Sequence, residues 1–446
     1  VIVGGGLVGS TLAARLSREG HAVVVVENDG EHLRSLNEQL DIQTVNGSGT
    51  TVGVLREAGI DECDVLFACT SSDEVNMIAA LIGATIFHVP KVVARLRELD
   101  HQASFRAIAE GLEGDQVSVN PDMAAVEKIL SLLPVPGALD LAPFLDGRLL
   151  VAGFPIRQGS DFAGLLLSHM RLLFPESPVL VVAIRRGEHW LIPHGEDEIK
   201  AGDTVYFAID PAEMDNVLSL LGVHRAAEGR VMIAGATRIG LALAARLGQE
   251  HVPVTLIEES EALARQAAAM LSDALVIHGA ATNQELLEEE GIERASAFVG
   301  CTDKHPQNVV SCLLARRLGV GHTFALVDDP GLSGLVGELG IDAIISPRLL
   351  TVGLALHFAR RGRIRAAAAF LEDFVEAVEV DVASDSRLVR APLAELGLPR
   401  GVIVAAALRD GKLVVPKGTD RILTGDRALL VTAVEEATAL DEFLSG

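Results

Sequence analysis

The sequence predicts an α/β protein with two tandem doubly wound parallel-sheet domains, each followed by a small α+β domain. Three observations predict it. Short Val/Ile-rich runs alternate with helical patterns, a glycine-rich turn follows the first run and opens a helix, and the chain of 446 residues repeats itself at about half its length.

The apolar runs of the first block are Val1–Val3, Ala22–Glu27, Val65–Thr70 and Val92–Leu96. Strands that alternate with helices require right-handed βαβ crossovers, hence a parallel sheet. The next block carries Val179–Arg185 and His189–Pro193, split by Arg186-Gly187-Glu188, a hairpin signal in a small α+β unit. Between the blocks, Pro134-Val-Pro-Gly137 cannot continue a helix and reads as a hinge.

The repeat then accounts for the remainder. Val1-Ile-Val-Gly-Gly-Gly-Leu-Val-Gly9 matches Met232-Ile-Ala-Gly-Ala-Thr-Arg-Ile-Gly240 at an offset of 231, and Leu12-Ala-Ala-Arg-Leu16 is identical to Leu243-Ala-Ala-Arg-Leu247. Glu27 falls on Glu258 at that offset. At 232, Gly59-Ile60 meets Gly291-Ile292, Cys69-Thr70 meets Cys301-Thr302, and Asn76 meets Asn308. Arg186-Gly187, Pro193-His-Gly195 and Gly202-Asp203 pair with Asp410-Gly411, Pro416-Lys-Gly418 and Gly425-Asp426. The expected segments are 1–134, 135–222, 223–365 and 366–446. Repetition at this scale means duplication of a whole two-domain module.

Composition excludes several partners. With 37 Lys and Arg against 61 Asp and Glu, the formal charge is −24. Such a surface repels phosphate backbones and anionic headgroups, which argues against nucleic acid and bare membrane. No run approaches the 18 apolar residues of a membrane span, so no direct bilayer insertion is expected. Cys63, Cys69, Cys301 and Cys312 form no CxxC pair and read as small core residues of a cytoplasmic protein. No GxSxG, HExxH or GxxxxGK[ST] occurs, and His169, His189 and His194 lack partners at triad or ligand spacing. Arg360-Arg361 with Arg363 and Arg365 is a basic cluster, read as a solvated helix end or as a partner contact.

Gly4-x-Gly6-x-x-Gly9 follows a strand and opens a helix, with Glu27 eighteen residues beyond Gly9 at the end of the second strand. That is the dinucleotide-binding context of a Rossmann-like domain. Gly4 permits the tight turn, Gly6 admits a pyrophosphate, and Gly9 lets the helix lie against the sheet beside free N–H groups. The Glu27 carboxylate can accept from both ribose hydroxyls and repels a 2′-phosphate, which favours NAD or an adenine nucleotide over NADP. Gly235-Ala-Thr237-Arg-Ile-Gly240 is the weaker copy, with a Cβ at Thr237 where the middle glycine stands; Glu258 is kept, and Arg238 offers a cation. Its occupancy stays open. Thr70 and Ser71 end the fourth strand, either beside the crevice or as caps of the helix beginning near Ser72. Arg95 and Arg97 leave the fifth strand on one face, for phosphate or for surface ion pairs. Their counterparts are Leu326 and Asp328.

Together these features resemble the RCK (KTN) family of cytosolic potassium-channel regulators over essentially the whole chain, in the order RCK-N, RCK-C, RCK-N, RCK-C. The carriers are Gly4–Gly9, Val45-Asn-Gly47, Val54–Gly59, Asp73-Glu74-Val-Asn76 and Val93–Arg97 in the first half. In the second they are Leu256-Ile-Glu258, Ile344–Pro347 and His357–Arg361. The resemblance implies a non-enzymatic, nucleotide-sensing regulatory subunit. It implies a homotetrameric ring at the inner face of the cell membrane, docked to a membrane potassium channel subunit of TrkH type. NAD or NADH, and ATP or ADP, are the implied ligands. Gly4, Gly5, Gly6, Leu7, Val8, Glu27, Thr70, Ser71 and Arg95 would hold the first nucleotide, with Arg97 at phosphates. Gly235, Ala236, Thr237, Arg238, Ile239 and Glu258 would form the second site. Thr237 and Ser48 depart from the pattern. An NAD-dependent oxidoreductase is the alternative; it explains the first fingerprint but neither the duplication nor the lack of an acid/base in the small domains.

Overall fold

The computed structural model describes residues 1–174, 179–187, 189–223, 229–329, 340–359, 364–370, 375–399 and 401–433, with a few positions between 436 and 444. Arg360, Arg361 and Arg363 lie outside the described residues, as does the side chain of Arg365.

The first block runs β1 (Ile2–Val3), α1 (Leu7–Arg18), β2 (Val24–Glu27), α2 (Gly30–Gln39), β3 (Gln43–Asn46), α3 (Val52–Glu57), β4 (Val65–Ala68), α4 (Asp73–Thr85), β5 (Lys91–Arg95), α5 (Leu99–Ala109), β6 (Asp115–Val119) and α6 (Pro121–Leu132). The first small domain follows with β7 (Asp140–Phe144), β8 (Leu149–Pro155), α7 (Met170–Leu173), β9 (Val179–Arg186), β10 (His189–Leu191), β11 (Thr204–Ile209) and α8 (Met214–Leu220). The second block has β12 (Arg230–Ala234), α9 (Arg238–Gln249), β13 (Val254–Glu258), α10 (Glu261–Met270), β14 (Ala274–His278), α11 (Gln284–Glu289), β15 (Ala295–Gly300), α12 (His305–Arg317), β16 (His322–Leu326), β17 (Ala343–Ile345) and α13 (Pro347–Ala359). The last domain holds β18 (Ile364–Phe370), β19 (Val375–Asp381), β20 (Val402–Arg409), β21 (Lys412–Val414) and β22 (Arg427–Ala433).

Both large sheets are parallel and share one strand order, β3-β2-β1-β4-β5-β6 and β14-β13-β12-β15-β16-β17. The order reverses beside β1 and beside β12, which opens a crevice at the carboxyl ends of β1 and β4 and of β12 and β15. The central strands have side chains covered on both faces, so Val92, Val93 and Ala94 are all buried, as continuous apolar runs in a parallel sheet require. Helix starts follow local chemistry. Asp29 accepts from the N–H groups of Glu31 and His32, Ser72 from Val75, Ser260 from Leu263, and Asn283 from Glu285 and Leu286.

The contacts do not follow the linear order of segments. One compact unit comprises Val1–Ala125 with Ser346–Arg361, and the other Val126–Ile345 with Gly362–Gly446. In the first unit, Val352, Ala355 and Leu356 of α13 pack on Ile2, Val8, Leu12, Phe67 and Val93. A helix from the second repeat therefore covers one face of the first sheet. Most of α6 belongs to the second unit, where Glu127 pairs with Arg246 of α9 at 2.8 Å. The last helix of each large domain thus belongs, for α6 in part and for α13 as a whole, to the other unit. A sequence reading that closes each domain on its own segment misses this, because an amphipathic helix records which face it buries and not what against.

In the second unit the small antiparallel sheets run β10-β9-β11-β8-β7 and β18-β19-β22-β20-β21, the same arrangement twice. They share a core in which Phe144, Val151, Val182 and Tyr206 meet Val375, Ala405, Leu429 and Val431. Glu379, nearly buried, accepts from the Leu145 N–H at 2.8 Å and pairs with Arg427 at 3.2 Å. Each hairpin is locked to a buried aspartate. Arg186 grips Asp203 through Nε (2.8 Å) and a terminal nitrogen (2.7 Å), and Arg409 grips Asp426 at 3.0 and 2.8 Å. Arg186 thus corresponds to Arg409, one residue before the Asp410 that the repeat matched to it. Side-chain role, not the hairpin glycine, sets the register.

Burial opposes the charge on Asp203, yet the Arg186 fork and the Lys200 N–H hold its carboxyl below the usual value. Its stabilising contribution is therefore complete above the unfolded-state value of about 4 and is lost as pH falls through the lower folded value. Urea midpoints of the wild type should drop as pH falls below about 4, and Asp203→Asn should lower the midpoint measured well above that pH while flattening the drop. An unchanged slope in the variant would refute this role.

Candidate functional site

The glycine turn between β1 and α1 lies at the switch point. Gly4 has φ +102°, and a Cβ there would stand 2.9 Å from the Thr70 nitrogen; its N–H donates to the Val26 carbonyl at 2.8 Å. Gly9 is tighter still, since its Cβ would fall 1.8 Å from the Gly4 oxygen. Gly6 is different. It is exposed at the N-cap of α1, with no side-chain cap, and a Cβ there would meet no protein atom within 4 Å. Leu7 is exposed beside it and Val8 is buried. The turn thus presents Gly6 and the first N–H groups of a twelve-residue helix outward.

Glu27 holds this turn. One carboxylate oxygen accepts the Gly5 N–H at 2.6 Å, and the other accepts Asn28 N–H at 2.8 Å and Asp29 N–H at 3.0 Å. The sequence placed Glu27 at the ribose position; the fold adds that the same carboxylate positions the glycine loop. Lone pairs remain for further donors, since a carboxylate has about four acceptor sites.

On the far side of the crevice Thr70 and Ser71 follow β4. The cap of α4 is Ser72, so neither Thr70 nor Ser71 caps the helix; the Thr70 hydroxyl instead accepts from Ser72 N–H at 3.2 Å. Ser71 is exposed at the crevice rim. The organising residue is Asn76, fully buried, whose oxygen accepts from Thr70 N–H and the Thr70 hydroxyl, both at 2.8 Å. Its nitrogen donates to the Thr70 and Arg95 carbonyls at 3.1 and 2.8 Å. Asn308 repeats the knot with Thr302 and Leu326. Sequence reasoning assigned Asn76 no role, although its recurrence as Asn308 was the available signal.

Arg95 and Arg97 do not act as a matched pair. Arg95 is buried, donates to the Thr70 carbonyl at 2.9 Å, and lies against Val93, Cys69 and the Thr351 and Ala355 positions of α13. Burial, and then the charge of Arg97, push its guanidinium below the ordinary value. Arg97 lies beyond the strand with an exposed side chain, while its backbone N–H donates to buried Asp73 at 2.8 Å. The expectation that both leave the sheet as surface cations is corrected: strand β5 ends at Arg95, whose side chain falls on the face covered by α1 and α13. Cys69 lies beneath the loop, and burial raises its thiol to about 12, so it is no nucleophile.

The second copy has the same frame. Gly235 has φ +112° and faces Thr302, and a Cβ on Gly240 would lie 2.1 Å from the Gly235 oxygen. Glu258 accepts from Ala236 N–H at 2.7 Å and Ser260 N–H at 2.8 Å. Thr237 replaces the outward glycine; Arg238 is exposed and Ile239 buried. Leu326 is buried where Arg95 stands in the first copy.

The TrkA-N domain model matches residues 1–116 and 231–347, and the TrkA-C domain model matches 151–222 and 377–445. The chain belongs to the TrkA family. It is 32% identical to the Trk system potassium uptake protein TrkA of Azorhizobium caulinodans, over 99% of this chain and 97% of that one. It is also 32% identical to the Halomonas elongata TrkA, covering 96% and 94%, and 30% identical to TrkA homolog 2 of Methanosarcina mazei, covering 96% of each. Among solved structures it shares its fold with the GsuK channel bound to NAD, at TM-score 0.61 and 21% identity over all of this chain and 78% of that one. Among the described residues, no helix of this TrkA-family chain is long and apolar enough to cross a membrane.

The glycine geometry separates packing from presentation. Gly9→Ala forces backbone against backbone and is expected to cost roughly 1–3 kcal/mol, visible as a melting temperature several degrees lower. Gly6→Ala should melt with the wild type. Equal melting of the two variants would refute the close approach at Gly9.

Proposed function

We propose that this chain is a nucleotide-sensing regulatory subunit of a Trk-type potassium uptake system, whose first glycine crevice binds NAD or NADH and ATP or ADP. The observation that carries this reading is the first crevice itself: an outward glycine at position 6 on a helix N-terminus, held by Glu27, at the switch point of a parallel sheet in a chain of the TrkA family.

A bound nucleotide supplies the pyrophosphate and ribose whose differential contacts bias the protein between shapes. The chain's residues do the rest. The N–H groups at Gly6, Leu7 and Val8 face the pyrophosphate, and the open space at Gly6 admits it. Glu27 accepts ribose hydroxyls with its remaining lone pairs, and Ser71 lines the rim. Arg95 keeps Thr70 in place from within, and Arg97 offers an exposed cation to further phosphates. We place the module limits at 1–134, 135–222, 223–365 and 366–446, and the working form as a homotetrameric ring at the inner face of the cell membrane. The partner is a membrane potassium channel subunit of TrkH type. A ligand moves such a ring only through its different affinity for two shapes, commonly about 1–3 kcal/mol of coupling.

The test is potassium flux through the co-reconstituted channel in liposomes, with and without ATP and NADH, beside calorimetric titration. Arg97→Ala should bind ATP several-fold more weakly, keep its melting temperature and blunt the flux response. Glu27→Ala should lose about tenfold or more in affinity for NADH and ATP alike, through a charge-assisted hydrogen bond and a loosened loop. Wild-type protein that binds nucleotide while flux never responds would overturn the regulatory reading.

A further inference from the structure

The two crevices share a frame but differ in what spans them. In the first, Gly6 caps α1 with no side chain. In the second, Thr237 caps α9: its hydroxyl accepts the Gly240 N–H at 3.2 Å and donates to the Cys301 carbonyl at 2.8 Å. One side chain thus takes up an N–H at the start of α9 and ties that turn to the end of β15, across the point where the strand order reverses.

A second tie starts one residue beyond Glu258. Glu259, just after β13, accepts from Lys304 at 3.2 Å and from Gln307 at 3.5 Å, both at the start of α12. These contacts lower its carboxyl below the ordinary value, Lys304 first. The equivalent positions in the first copy are Asn28 and Ser72, and Ser72 directs its hydroxyl to Glu74 and the Val75 N–H instead. The Lys304–Glu259 pair is exposed and weak alone. It adds to the Thr237 tie, which is half-buried. The charge around it also differs, with Leu326 and Asp328 where the first copy has Arg95 and Arg97.

We infer that Thr237, Lys304 and Glu259 decide the state of the second crevice: the chain's own side chains bridge there the two walls that Gly6 and Ser72 do not bridge in the first, so the second module is a fixed frame and the first is the sensor. This rests on the proposed nucleotide binding at Gly4–Val8. A frame that stays shut while its twin opens and closes gives the ligand one place to act, and its differential affinity is then felt entirely by the first module.

Hydrogen exchange on the full chain tests it, because exchange reads local opening directly. In nucleotide-free protein, peptides covering 238–242 and 302–308 should exchange at least about tenfold more slowly than those covering 7–11 and 70–77. Adding ATP or NADH should slow the first-copy peptides and leave the second-copy peptides unchanged. Thr237→Val, which keeps the shape and removes the hydroxyl, combined with Lys304→Ser, should make the second loop exchange as fast as the nucleotide-free first. Thr237→Ser should retain the slow exchange. Equal exchange of the two copies without nucleotide, or slowing of both by nucleotide, overturns the inference. If the second copy is slow and the first does not respond to either nucleotide, the inference about the frame stands and the nucleotide-sensing reading fails.

Discussion

The rest of this fold depends on the contact between the Gly4 carbonyl and the Cα of Gly9. A methyl group at position 9 would sit inside that carbonyl, and one at position 4 would press on the backbone at Thr70. Without both approaches α1 could not lie against β1 and β4, and the helix N-terminus would not open at the switch point. The second copy repeats the constraint at Gly235 and Gly240. Between these two packing glycines lies a position with open space, Gly6, and that difference within one motif separates what the fold needs from what a ligand needs.

Around the loop, polar groups are buried where they set positions. Asn76 joins Thr70 to the end of β5, and Asp73 holds the backbone beyond it at Arg97 and Glu98. Such a network is costly if half satisfied and rigid when complete. Arg95 belongs to it, as a buried donor to Thr70, and so couples the crevice wall to the face covered by α13. The exposed groups Ser71 and Arg97 stand beside this network.

The duplicated module did not stay two copies side by side. The helix at Pro347–Ala359 covers the first sheet, and the two small sheets share one core, joined where Glu379 accepts the Leu145 N–H and Arg427 pairs with Asp146. The small domains are held by the same arginine–aspartate fork used twice, a bidentate geometry that fixes hairpin orientation as well as adding strength.

The sequence by itself determined the strand–helix alternation, the duplication, both glycine turns and the acidic partners Glu27 and Glu258. Each of these is a local requirement: an apolar period, a backbone conformation barred to other residues, or a carboxylate at a strand end. Tertiary structure decided what no local pattern encodes. Arg95 and Arg97 are two residues apart and look alike in sequence, yet one is buried and one exposed, because β5 ends between them. Asn76 stood out in sequence only by recurring as Asn308 and in the family motif, and its role appeared when the fold brought Thr70 and the Arg95 carbonyl to it. The swapped helices look the same as any amphipathic helix, since a buried stripe specifies that it must be covered and leaves open by what. Thr237, legible as a lost glycine, became a tie across the crevice only when the Cys301 carbonyl came within reach of its hydroxyl.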